Sequence, residues 1–64
     1  MLSQYLRQFR IENNLTQSEM AKKLRTAQGY YSQIETGSKK PGFTMVKRLS
    51  EVLNVPESFI RRLI

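Results

Sequence analysis

An all-α bundle of five short helices is the fold this 64-residue sequence predicts, on three observations. Only three glycines and two prolines interrupt the chain, too few for an all-β protein, which needs a turn signal about every ten residues. Apolar residues recur at three- and four-residue spacings, the period of a helix buried along one stripe. Cap and turn residues divide those stripes into five segments with tight connections.

The first segment, residues 2–13, sets Leu2, Leu6 and Phe9 on one face, with Arg7, Gln8 and Glu12 between them. Asn13-Asn14 ends it, because asparagine tolerates the left-handed conformation that often follows a helix. Thr16-Gln17-Ser18-Glu19 then fits a capping box. In it the Thr16 hydroxyl accepts from the Glu19 amide, and the Glu19 carboxylate reaches back to the Thr16 amide. Leu15 stands where a hydrophobic staple belongs, and Met20, Ala21 and Leu24 form the inward stripe.

A break at Arg25-Thr26 leads into a third helix over about residues 27–36, with Ala27, Tyr31 and Ile34 on one side. Gly37 takes the left-handed position that stops it. The basic loop Lys39-Lys40-Pro41-Gly42 precedes a fourth helix over about 44–53, which buries Val46, Leu49, Val52 and Leu53. Asn54 closes that helix, and Pro56 at a first helical position opens a fifth, ending at Ile64.

Length admits one domain, residues 1–64, with one modest core. Cysteine, histidine and aspartate are all absent. There is therefore no disulfide framework and no thiolate metal site, and the usual catalytic bases and nucleophiles are missing. No glycine-rich phosphate loop compensates, so the chain reads as a binder, not an enzyme, without metal, cofactor or small-molecule ligand. No apolar run approaches the ~18 residues of a membrane span, and no secretory signal opens the chain. The expected setting is the cytoplasm, in association with the nucleoid.

Eleven Lys and Arg stand against five Glu, for a net charge of +6 shared equally between the two halves. A field of that sign attracts polyanions. Within it, the outer side of the third helix carries Gly29, Ser32, Gln33 and Thr36, with Gln28 at the flank of its first turn, and no charge. A merely solvated helix more often shows Lys and Glu there. Amides suit base edges, since glutamine donates to N7 and accepts from N6 of adenine in one bidentate pair.

Two helices of about eight residues joined by a turn of three or four have helix-turn-helix geometry, here over about residues 17–36. The residues that fill it are specific: Leu15-Thr16-Gln17 at the entry, small Ala21 at the crossing, Leu24, and Tyr31-Ser32-Gln33-Ile34-Glu35-Thr36-Gly37. Pro41, Phe43 and Leu53-Asn54-Val55-Pro56 extend the pattern. From Leu6 to Phe59 the chain resembles the phage Cro and C1-type repressors, the XRE family.

The resemblance implies a lambda-repressor-like fold and a transcriptional regulator, a repressor, that binds double-stranded DNA in a sequence-specific way. It places Gln28, Gly29 and Gln33 at the major groove with Ser32 beside them, and Gln17, Lys39, Lys40 and Thr44 on phosphates. It also implies a structural ion pair between Arg10 and Glu35 beneath that surface. Lys22, Lys23, Arg25, Lys47 and Arg48 carry charge whose direction is not legible.

Four departures from the family pattern stand out. Gly29 lacks the usual side chain, Arg25 replaces a glycine that often has positive φ, and Tyr31 replaces Ile or Val. Ala27 replaces the Ser or Thr cap of the third helix, which leaves Thr26 to cap one residue early. The rival reading is a protein-interaction module, such as an antitoxin or antirepressor, on the same fold. In the last helix Phe59 and Leu63 form one i,i+4 stripe and Ile60 and Ile64 another. A bundle this small needs one of them, so Ile60 and Ile64 are the expected dimer contact. A homodimer would set two recognition helices on the half-sites of a palindromic operator, about 34 Å apart.

Overall fold

The computed structural model describes residues 1–64 and contains five helices: α1 (Leu2–Glu12), α2 (Gln17–Lys23), α3 (Gln28–Thr36), α4 (Phe43–Leu53) and α5 (Glu57–Leu63). No helix is long and apolar enough to cross a membrane. The packing places α3 against α1 and α2, and α5 against α4. One core joins Leu2 and Leu6 of α1, Met20, Ala21 and Leu24, Tyr31 and Ile34 of α3, Met45, Val46, Leu49 and Leu53 of α4, and Ile60.

Local chemistry accounts for most of the boundaries. Asn13 caps α1, and Asn14 takes a φ of 55°. The capping box at α2 is complete: Glu19 N donates to Thr16 Oγ1 at 3.0 Å and Thr16 N donates to Glu19 Oε1 at 2.8 Å. Gly37 (φ 86°) ends α3 and Asn54 (φ 57°) ends α4, both left-handed.

Arg25, in the turn between α2 and α3, also holds a φ of 57°. Outside glycine that conformation costs roughly 1–2 kcal/mol. Arg48 of α4 supports it, its Nη1 donating to the Arg25 carbonyl at 3.2 Å, so this cation serves the turn.

Several expectations need correction. Thr26 does not cap α3; Ala27 is the N-cap, without a side-chain bond, so it is exposed instead of sharing the inner side with Tyr31. Pro56 is the N-cap of α5, not its first helical residue, and α4 begins at Phe43. Val52 is half-buried while Met45 is buried, because the inward face of α4 follows Met45, Leu49 and Leu53 at i, i+4 and i+8.

The largest correction concerns α5. Ile60 is 0% exposed, in the middle of the core, and so is no surface for a second copy. Both stripes close the bundle, because α5 is flanked on two sides. Ile60 enters the core, while Phe59 meets Tyr5 of α1 edge-on, with ring centroids 5.3 Å apart, and Leu63 packs beside it. Ile64 alone of the pair is exposed.

Candidate nucleic-acid interface

The two faces of α3 differ sharply. Its inner face buries Tyr31, Ile34 and Glu35. Its outer face exposes Gln28, Gly29, Gln33 and Thr36, with Ser32 half-buried. Positions 28, 29, 32, 33 and 36 form a continuous strip along a helix.

The backbone under that strip is held at its C-terminal end. The Gln33 carbonyl accepts from Thr36 Oγ1 (3.2 Å), Ser38 Oγ (3.2 Å) and Lys39 N (3.1 Å). Gln28 and Gln33 make no side-chain hydrogen bond within the chain, so their amides are available to an outside partner. At Gly29 a Cβ would meet nothing within 4 Å, so packing does not require glycine there.

Beneath the strip lies the one buried carboxylate, Glu35, which α1, α2 and α3 share. Its Oε1 accepts from Arg10 Nε at 2.8 Å and Tyr31 Oη at 2.7 Å. Its Oε2 accepts from Arg10 Nη2 at 3.1 Å and Gln17 Nε2 at 3.1 Å. Arg10 also donates to the Leu15 carbonyl at 3.0 Å, which ties the turn before α2 into the same cluster.

Burial alone would push the Glu35 carboxyl up, but the bonds from Arg10, Tyr31 and Gln17 outweigh it and hold the pKa down at about 2. Tyr31 moves the opposite way: burial, then the bond to Glu35 and its charge, push its phenol well above the ordinary range. The Glu35 hydrogen bond also raises Arg10. The network is therefore a fixed Arg10–Glu35 ion pair, neutral as a whole and fully hydrogen-bonded, and no buried side-chain polar atom lacks a partner.

The remaining site residues lie around α3. Gln17, at the start of α2, is half-buried and gives one amide hydrogen to Glu35, which leaves the other free. Lys39, Lys40 and Thr44 are exposed on the loop before α4 and in its first turn. Neither lysine has a carboxylate within ion-pair distance. Next to Thr44, Phe43 is 79% exposed, with Arg61 Cζ 5.8 Å from its ring centroid.

Sequence reasoning missed four polar roles: Tyr31 and Gln17 as donors to Glu35, Arg48 as the support of the Arg25 turn, and Arg7 at the edge of the Glu35 cluster. Tyr31 carried a signal, since a buried phenol needs a partner. The two arginines carried none beyond charge.

Two helices crossing at small, buried Ala21, with a left-handed turn between them and an uncharged strip on the second, define a helix-turn-helix protein. The model of the helix-turn-helix family matches residues 6–60, and this chain belongs to that family, in its Cro/C1 (XRE) type. The chain is 36% identical over 53 residues to an uncharacterized HTH-type transcriptional regulator, YqaF, of Bacillus subtilis (strain 168). That alignment covers 83% of this chain and 70% of the relative. No solved structure matches the chain.

Proposed function

We propose that residues 1–64 act as one domain of a sequence-specific regulator of transcription, a repressor that binds double-stranded DNA. In this reading α3 enters the major groove and Gln28 and Gln33 hydrogen-bond base edges, with Gly29 and Ser32 against the same bases. Gln17, Lys39, Lys40 and Thr44 hold backbone phosphates. The protein works by occupancy in the cytoplasm, on the nucleoid, without catalysis or cofactor.

The observation that carries the reading is the contrast between the faces of α3. One face is locked by Tyr31, Ile34 and Glu35, while the other offers free amides and no charge within a chain of net charge +6. A rigid scaffold with uncommitted amides suits readout of base edges, where half an ångström matters. Core burial alone does not explain that outer face.

A nine-residue helix spans only a few base pairs. We therefore propose that two copies bind a palindromic operator, with half-sites about 34 Å apart. Their contact uses a surface other than Ile60.

Selection of bound duplexes from a random library at physiological salt tests the proposal. Enrichment of an inverted repeat is the expected outcome. Recovery without an enriched motif, with affinity collapsing as salt rises, would leave nonspecific polyanion binding and favour a protein-interaction role instead.

A further inference from the structure

Building on the DNA-binding reading above, we propose that Arg7 is a further contact to the DNA backbone, donating to a phosphodiester oxygen where α1 meets the end of α3. The argument starts from the saturation of Glu35. Each of its oxygens already accepts two hydrogen bonds, from Arg10 and Tyr31 on one side and from Arg10 and Gln17 on the other. Arg7 Nε stands 3.8 Å from Oε2, too far for a hydrogen bond, and its side chain is 61% exposed.

The charge is also out of balance. Arg7 and Arg10 face a single carboxylate, and Arg7 has no other acid within ion-pair distance. An exposed guanidinium beside an already satisfied carboxylate adds little to folding. One positive charge is left over, and it lies at the edge of the proposed interface.

Its surroundings suit an oxyanion. Ser3, Gln4, Arg7 and Thr36 line a shallow depression whose only acid is the saturated Glu35. The Ser3 hydroxyl, the Gln4 amide and the Arg7 guanidinium fork are donors of the kind that phosphate oxygens accept from, while the Thr36 hydroxyl already donates to the Gln33 carbonyl. The place is also right: Gln17, at the start of α2, leans on the same Glu35 oxygen as Arg7, and Thr36 is the last residue of α3. An anion held by Arg7 therefore lies on the same edge as one held by Gln17.

Arg7→Ala is a clean variant, because Glu35 keeps all four hydrogen bonds. Binding of the wild type, Arg7→Ala and Arg7→Lys to the selected duplex and to random duplexes, across a range of salt, tests the idea alongside thermal melts. Arg7→Ala is expected to melt like the wild type. It should lose about 3–10-fold in affinity on every duplex and reduce the log–log salt slope by about one. Arg7→Lys should keep the slope and recover part of the affinity.

Unchanged affinity and slope in Arg7→Ala, with a wild type that binds its duplex, would overturn the contact. A melt lowered as far as that of Arg10→Ala would make Arg7 a structural partner of Glu35, which also overturns it. Adding inorganic phosphate at matched ionic strength separates the two sources of the anion. The difference between wild type and Arg7→Ala should persist, and its disappearance would mean a site for free phosphate. A wild type that binds no duplex sinks the DNA-binding reading itself, before any variant is compared.

Discussion

Tyr31 Oη donates to Glu35 Oε1 at 2.7 Å, joining two fully buried residues one turn apart on α3. The bond couples the core to the charge cluster under the exposed strip of α3. Each group satisfies the other where water cannot reach.

Tyr31→Phe keeps the ring and deletes that donor. A hydrogen bond to a charged group contributes about 1.5–3 kcal/mol. The variant should therefore melt roughly 10 °C lower, since a domain this small shifts about 4–8 °C per kcal/mol. A thermal melt followed by circular dichroism decides it, and an unchanged midpoint would show that the phenol contributes nothing.

Stability should fall in acid, with a sign set by Glu35. Its folded carboxyl titrates at about 2, below the ordinary 4.5 that the unfolded chain retains. The stabilisation is thus fully present above pH 4.5 and is lost as pH falls toward 2. Glu19, lowered by its bonds from the Thr16 amide and hydroxyl, adds a contribution of the same sign. Urea midpoints measured from acid to neutral pH should show this slope, and Glu35→Gln should flatten most of it while weakening the fold at neutrality.

Ala27→Ser should stabilise the protein. The N-cap of α3 has extended backbone (φ −71°, ψ 146°) but no side-chain acceptor for the free amides of the first turn. A serine there typically contributes about 1 kcal/mol over alanine. A raised melting midpoint is expected; a lowered one would mean that the hydroxyl cannot reach those amides.

Gly29→Ala should split stability from binding. Open space around the missing Cβ and the helical preference for alanine predict a gain of roughly 0.5–1 kcal/mol in folding. A methyl group in the proposed reading strip should instead weaken the selected duplex or change the preferred base. A variant that folds better and binds its duplex equally well would remove Gly29 from the interface.

Gln33→Ala and Lys40→Ala should differ in kind. The first should cost about 1–3 kcal/mol on the selected duplex and relax preference at one base pair. The second should weaken all duplexes alike and flatten the salt dependence. Equal losses for Gln33→Ala on selected and random DNA would sink its role as a reader.

Legibility in the sequence followed the range of the interaction. The capping box joins residues three apart, and the left-handed residues Asn14, Gly37 and Asn54 answer to their own side chains. Periodicity alone placed Leu6, Met20, Leu24 and Ile34 inward. The uncharged outer strip of α3 was visible for the same reason, since a helix orders its own faces. Where a local signal was weak, as at Ala27 and Pro56, boundaries moved by one residue.

By itself, then, the sequence determined five helices, their ends to within about a residue and the main inward residues of the first four, because those depend on contacts within about one helical turn. Only the tertiary structure decided how the two adjacent stripes on α5 are shared, sinking Ile60 into the core, packing Leu63 against it and setting Phe59 on Tyr5. It alone brought Gln17 and Tyr31 onto Glu35, beside the Arg10 that the family resemblance had paired with that acid, and left Arg7 just outside the shell. Arg10 lies 25 residues from its acid and Arg48 lies 23 from the Arg25 carbonyl. Partners that distant are chosen by how whole helices pack, a balance of volume and burial that no local pattern encodes.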